Sequence, residues 1–210
     1  MIEALNTLSS WTPYLIGGFS KNIAIALGAM LIGTLLGGLL AVLKFSRHRS
    51  IRQITDAVIS FFRNVPTLVI LFYLATLIPN EISVFGDSMV LYFSPALKAS
   101  LALASSPLGF TAWNLHSAMI SWKKNDHRAA LLFIPNWMTA FIVTMLASSV
   151  SSLVGVDELV GRSNTVIGAT DTHLMVPIYL NAMLYFFGFC YLSNWLVQSI
   201  KQRISQRLGT

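Results

Sequence analysis

The sequence predicts an all-α membrane protein with five transmembrane helices, and three observations carry that reading. Hydrophobic residues make up 55% of the 210-residue chain and charged residues only 10%, against about a quarter charged in an ordinary soluble domain. The apolar residues fall into five runs of roughly 20, the length that crosses a bilayer at about 1.5 Å per helical residue. The 14 Lys and Arg sit between those runs. A soluble globule must wrap its core in charge, and 14 basic with 8 acidic residues cannot do so unless much of the outside faces lipid. That composition argues against a soluble enzyme. A pI near 9.7 fits nucleic-acid binding only if the basic residues cluster on one soluble face, which their spacing denies.

The five expected spans are Asn22–Leu43, Ala57–Ile78, Ala96–Ile120, Ala129–Val150 and Leu174–Val197. Before them, residues 1–13 form an expected outer segment without the basic region of a cleavable signal peptide. Cytoplasmic flanks hold the positive charge of a membrane protein. One side collects Lys44, Arg47, Arg49, Arg52, Arg63, Lys123, Lys124, Arg128, Lys201, Arg203 and Arg207 against Asp56 and Asp126. The other collects Lys21, Lys98 and Arg162 against Glu3, Glu81, Asp87, Asp157, Glu158 and Asp171. The N-terminus is therefore expected outside and the C-terminus in the cytoplasm, with residues 201–210 a basic cytoplasmic tail.

Each span carries its own signal. Span one has Gly33 and Gly37 at the spacing that lets two helix backbones approach. In span two, Arg63 lies seven residues after Asp56 on the same face, within reach of a snorkelling ion pair, and Pro66 removes a backbone donor and predicts a kink. Span three places Ser105, Ser106 and Pro107 halfway down, then Asn114 and His116. Polar groups in hydrocarbon must face other helices or water, so these residues line either a path or a helix interface. Ser148, Ser149, Ser151 and Ser152 close span four, where their hydroxyls can bond back to the helix. Two outer stretches join the spans. Pro79–Pro95 reads as a loop, and Gly155–His173 as a short helix opened by Asp157 and Glu158, followed by a loop.

No phosphate loop, metal-spaced cluster or catalytic constellation is legible, so neither a cofactor nor a catalytic residue is expected. His48 and His127 sit in basic loops and read as solvated. Cys190 is the single cysteine and can form no intramolecular disulfide. If ATP drives this protein, another chain must bind it.

Several strings together resemble the permease subunits of the polar amino-acid ABC importers, the type I importers of bacterial plasma membranes. Tyr14-Leu-Ile-Gly-Gly-Phe looks like that family's entry segment. Phe61-Phe62-Arg63-Asn64-Val65-Pro66-Thr67-Leu68 resembles its Phe-Arg-Gly-Thr-Pro-Leu string, with Asn64 and Val65 replacing Gly and Thr. Ile134-Pro135-Asn136 is similar to its Leu-Pro-Gln, and Ser151-Ser152-Leu153-Val154-Gly155-Val156-Asp157-Glu158-Leu159 resembles its Thr-Ser-Leu, Gly-Val, Glu-Leu string. The resemblance covers roughly Tyr14 to Arg203 and implies a five-span permease domain over residues 14–200. It also implies a second permease subunit, as a homo- or heterodimer, two ATP-binding subunits on the cytoplasmic face and an extracytoplasmic solute-binding protein.

On that resemblance the loop between spans three and four couples to an ATPase, with Lys123, Lys124, Asp126, His127, Arg128, Ala129 and Ala130 as the contact. The family's Glu-Ala-Ala and following Gly are reduced here to Ala129 and Ala130, with Arg128 where the Glu stands, and the segment is shorter by about four helical turns. Asn114, His116, Ser148 and Ser149 are the expected path-lining residues; Asp56, Arg63, Pro66 and Glu158 are expected to be structural. The implied function is half of an amino-acid translocation pathway in the inner membrane, carrying polar or cationic amino acids. Two rivals remain: a non-coupled scaffold or regulatory subunit that keeps the permease fold, which the shortened loop favours, and an unrelated membrane enzyme, which the lack of a carboxylate or metal cluster disfavours.

Overall fold

A computed structural model describes residues 2–84, 89–170 and 172–208, with the side chains at the margins of these stretches (2–5, 84, 89, 172, 207 and 208) left out of the description. Asp87 and Asp171 lie outside the described residues, as do the side chains of Glu3 and Arg207.

Helix α1 runs Ile2–Leu43, 42 residues in one piece, so it starts about twenty residues before the expected span. Pro13 lies within it and deprives the preceding turn of one hydrogen bond. The helix continues because this stretch has something to pack on. Leu15 is buried against Leu159, Val166, Leu174, Ile178 and Ala182, with Leu8, Trp11, Tyr14 and Phe19 around them. Beyond Asn22 the exposed side of α1 is a row of leucines, Leu27, Leu31, Leu35 and Leu39, the i, i+4 stripe of a helix facing apolar surroundings.

The segment expected as span two is two helices, α2 (Arg49–Asn64) and α3 (Thr67–Leu77), bent by 96° at Val65-Pro66. Pro66 supplies no N–H, and Val65 before it is extended with ψ 126, the conformation that proline imposes on its predecessor. The far end of α3 is closed by a buried lysine. Lys98 Nζ donates to Ile78 O and to Asn80 Oδ1 at 2.8 Å, placing a cation at the negative end of the helix dipole.

Residues 79–95 are not simply a loop. β1 (Glu81–Val84) pairs antiparallel with β2 (Met89–Tyr92), Glu81 opposite Tyr92 and Ser83 opposite Val90. The fold is thus helical, with one small hairpin where the sequence suggested a loop. Ile82, Val84 and Val90 supply the β-branched residues that favour strands.

Expected span three is also broken, into α4 (Pro95–Leu103) and α5 (Ser105–Lys123). Ser94 caps α4 by accepting from Leu97 N, with Pro95 in the first turn. Gly33 and Gly37 let α1 lie directly on α5: a Cβ at Gly37 would stand 2.5 Å from Leu108 O, and one at Gly33 2.8 Å from Ala104 O. Small residues continue the contact into a second core, where Ala29 and Ile25 meet Leu71, Ala99, Ala102 and Leu103.

After a short α6 (His127–Leu131) come α7 (Phe133–Ala147) and a 3-10 turn over Ser148–Val154. Three of the four serines bond back, Ser148 Oγ to Met145 O, Ser149 Oγ to Leu146 O and Ser152 Oγ to Ser149 O, whereas the buried Ser151 hydroxyl has no partner among the described residues. Gly155, at φ 82, ends the run. As expected, the stretch after it holds a short helix, α8 (Leu159–Ala169). α9 (Met175–Leu208) continues well into the expected tail.

Among the described residues, three helical stretches are long and apolar enough to cross a membrane, Asn6–Leu43, His127–Val154 and Met175–Gln206; the bent α2 and α3 pair makes a fourth if taken as one span. The remaining expected span, Ala96–Ile120, is the broken pair α4 and α5.

Candidate functional site

Where α2 breaks from α3, a cavity of about 350 Å³ opens, lined by Phe62, Arg63, Asn64, Thr67, Ser106 and Phe110 among others. Its one charged wall is Arg63. The expected Arg63 to Asp56 ion pair is not formed: Asp56 Oδ1 instead meets Lys44 Nζ at 2.8 Å. The Arg63 guanidinium lies over the Trp113 ring, 4.8 Å from its centroid, and Lys44 shares that ring at 4.9 Å. The reason is local. Gly109 has no side chain, so α2 comes close to α5 with the Arg63 Cγ 2.9 Å from where a Cβ would stand, and from there the guanidinium lies on the Trp113 indole of the same helix α5. A planar cation on an indole keeps its outer N–H donors free for a polar group in the cavity.

The expected path residues fall in different surroundings. Asn114 Nδ2 donates to Phe110 O at 3.0 Å, on the α5 turn that borders the cavity. His116 is turned towards α1, its Nδ1 3.3 Å from Ala41 O and its ring 4.5 Å from that of Phe45. Ser149 is partly buried and bonds only within its own turn. Ser148 is fully buried and accepts from Asn22 Nδ2 at 3.0 Å. The structure therefore brings Ser148 to Asn22, not to Asn114 or His116.

Around Glu158 lies a closed polar cluster that is only half legible in the sequence. Glu158 is the N-cap of α8, its carboxylate accepting from Val160 N at 3.0 Å and Gly161 N at 3.1 Å. Asn22 Nδ2 donates to Glu158 Oε2 at 2.8 Å, and Asn22 Oδ1 accepts from Leu159 N at 3.1 Å. Glu158 lies between two apolar stretches rather than within one. Burial pushes its carboxyl above the ordinary range, more than the hydrogen bonds from Val160, Asn22 and Gly161 pull it down. Sequence spacing makes Asn22 no more than the first residue of a span; a single Asn in a long apolar run is the signal that points to a partner.

Beside the cluster, Asp157 Oδ2 accepts from Lys21 Nζ at 3.0 Å and from Arg162 Nε at 3.1 Å. Partial burial raises the Asp157 carboxyl, but the Lys21 and Arg162 contacts outweigh it and hold the group below its ordinary range. Arg162 also donates from Nη1 to Tyr14 O at 2.6 Å and lies over the Tyr14 ring. α8 is thus fastened to α1 by a buried amide-to-carboxyl contact and an exposed ionic one.

At the opposite end, Lys123 ends α5 and Lys124 is its C-cap, Asn125 turns the chain at φ 61, and Asp126 caps α6 by accepting from Ala129 N at 3.0 Å. His127 packs edge-on to Trp122, and Ala130 is buried. Arg128 faces α9, its Nη2 donating to Ser205 Oγ at 2.8 Å. The connection between α5 and α7 is a capped turn of helix tied to α9.

No family model matches the chain. It is 25% identical to the L-cystine transport system permease protein TcyB of Bacillus subtilis, over 94% of this chain and 89% of that one. It is 26% identical to the probable amino-acid ABC transporter permease protein YckA of the same organism, over 82% and 81%. With the glutamate/aspartate import permease protein GltK of Escherichia coli O157:H7 it shares 24% identity over 91% and 93%. In fold it matches a crystal structure of an amino acid ABC transporter with histidines, at a TM-score of 0.76 and 18% identity over 93% and 96% of the two chains. The inward-facing MetNI methionine ABC transporter follows at 0.59 and 14% identity over 89% and 95%. The curated proteins that this chain resembles along nearly its whole length are amino-acid ABC transporter permeases, and its fold is that of an ABC transporter permease.

Proposed function

We propose that the chain is a multi-pass permease subunit of an ATP-driven amino-acid importer in a bacterial inner membrane. It forms half of the translocation pathway beside a second permease, with ATP-binding subunits on the cytoplasmic face and a solute-binding protein outside. The observation that carries this reading is the end-to-end likeness to permeases, which leaves almost no stretch of either chain unmatched. The relatives' named substrates, cystine and glutamate or aspartate, favour a polar amino acid. The charge bias between the ends of the helices supports an outer N-terminus and a cytoplasmic C-terminus.

In this reading the cavity at the α2 to α3 break opens onto the shared pathway. Arg63 and Asn64 present polar groups to the passing solute there, and Asn114 sits on its border. Alternating access comes from rocking of the two permeases about that pathway. Asn22, Glu158 and Asp157 keep α8 moving as one body with α1, while α6, held to α9 through Arg128, passes on the motion of the ATPase. The test is reconstitution with ATPase, binding protein and second permease: amino-acid uptake that requires ATP supports the proposal, and uptake unaffected by omitting this chain refutes it.

A further inference from the structure

Between α6 and α9 lies a second cavity, of about 300 Å³, lined by Arg128, Leu132, Lys201, Gln202, Ile204 and Ser205. Its chemistry is that of an amphiphile's binding site. Two cations, Arg128 and Lys201, stand on it, and neither takes part in the ion pairs of the described residues, Lys21 and Arg162 with Asp157 and Lys44 with Asp56. The neighbouring carboxylate, Asp126, is occupied in capping α6. The hydroxyl of Ser205 already orients the guanidinium, which leaves other N–H donors directed elsewhere. Leu132 and Ile204 supply apolar walls. The depth fits as well, because the membrane-length stretches His127–Val154 and Met175–Gln206 both end at this level, where lipid headgroups meet water.

We propose that this cavity binds the phosphate of an anionic phospholipid, with Arg128 and Lys201 on the phosphate oxygens and the first methylenes of the lipid against Leu132 and Ile204. Basic pockets between membrane helices hold such headgroups by direct charge pairing. Because the lipid contacts the loop helix and α9 together, its occupancy sets how firmly α6 is held. The inference rests on the membrane placement proposed above, but its test does not depend on which end is cytoplasmic.

The full chain is purified in detergent and titrated with phosphatidylglycerol, phosphatidylcholine or inorganic phosphate, and bound lipid is read by native mass spectrometry. Wild type retains phosphatidylglycerol in preference to phosphatidylcholine. Arg128→Gln with Lys201→Gln weakens that retention roughly tenfold or more, while Lys124→Gln with Arg203→Gln, which removes two exposed cations outside the cavity, does not. Should the first pair fail to fold, Lys201→Gln alone reports the same loss. Equal retention by both pairs of substitutions overturns the proposal. Inorganic phosphate displacing the lipid at equal concentration overturns the lipid assignment in favour of a soluble anion. Loss of a co-purifying ATPase with lipid retained overturns it in favour of a protein contact. A reporter that places Lys201 outside the cell would refute the topology and leave the binding result intact.

Discussion

Asn22 Nδ2 and Glu158 Oε2 meet at 2.8 Å across 136 residues of sequence, and both side chains are fully buried. The contact joins the middle of α1 to the start of α8. Each end has further partners: Asn22 Nδ2 also donates to Ser148 Oγ and its Oδ1 accepts from Leu159 N, while Glu158 accepts from two backbone amides besides. Removing one member strands the others in a place without water, which costs more than the net value of a single hydrogen bond.

Glu158→Ala is therefore expected to destabilise the protein by about 2 kcal/mol, combining a lost N-cap with an orphaned buried amide. Glu158→Gln should cost clearly less, since its carbonyl can still accept from Val160 or Gly161. Thermal unfolding in detergent reads the difference, and equal midpoints for Ala and wild type would remove the cluster from the account.

The two carboxylates of this region should leave opposite marks on stability against pH. Glu158 has a raised folded-state pKa, so its contribution is whole below the unfolded value and is lost as pH rises through the folded one. Asp157 has a lowered one, so its contribution is present above the unfolded value and is lost as pH falls through the folded one. Glu158→Gln should flatten the loss of stability on raising the pH, and Asp157→Asn the loss on lowering it. Unchanged profiles in both variants would contradict the electrostatic assignment.

Gly37 tests the packing of α1 on α5. Its absent Cβ would lie 2.5 Å from Leu108 O and 2.9 Å from the Thr111 Cβ, so Gly37→Ala must push the α1 and α5 backbones away from each other and should cost about 1–3 kcal/mol. Gly28→Ala meets only the Ser100 side chain, at 3.2 Å or more, and should be near neutral. Similar melting of the two variants would show that the helices are not in close contact.

For the pathway, Cys substitutions in a Cys190→Ala background separate Asn114 from His116. Asn114 lies one turn beyond Phe110, which lines the cavity, and on the proposed pathway its cysteine should react with a water-soluble thiol reagent and be protected by substrate. His116, packed on Ala41 and Phe45, should not react. The reverse pattern would move the pathway to the other side of α5. In the same background Gly168→Cys, where a side chain meets open space, should label from outside intact cells and Lys124→Cys only after lysis.

Composition and the apolar runs made the helices and their order legible, because burying backbone polar groups in lipid leaves the chain little choice. Pro66 announced a break but not its 96° angle, which depends on Gly109 admitting α2 to the face of α5. The extension of α1 back to Ile2 was hidden because Leu8, Trp11 and Leu15 find their partners in α8 and α9, far along the chain. The same distance hid the partner of Asn22. Arg63 illustrates the limit of spacing arguments: the i, i+7 carboxylate was on the right face, yet Lys44 and Trp113, brought in by tertiary packing, took both partners.

The proposed role as a permease subunit of an ATP-driven amino-acid importer is tested most directly by substrate-stimulated ATP hydrolysis in proteoliposomes. With α6 only five residues long and Arg128 standing where the resemblance puts a Glu, we propose that a second permease carries most of the coupling. The complete set of ATPase, binding protein and both permeases should hydrolyse ATP faster when the amino acid is supplied, whereas this chain as the sole permease should give a much smaller response. Full stimulation with this chain alone would refute the unequal pairing. No stimulation by any amino acid, in an assembly where the chain and ATPase are both present and folded, would contradict the transport account itself.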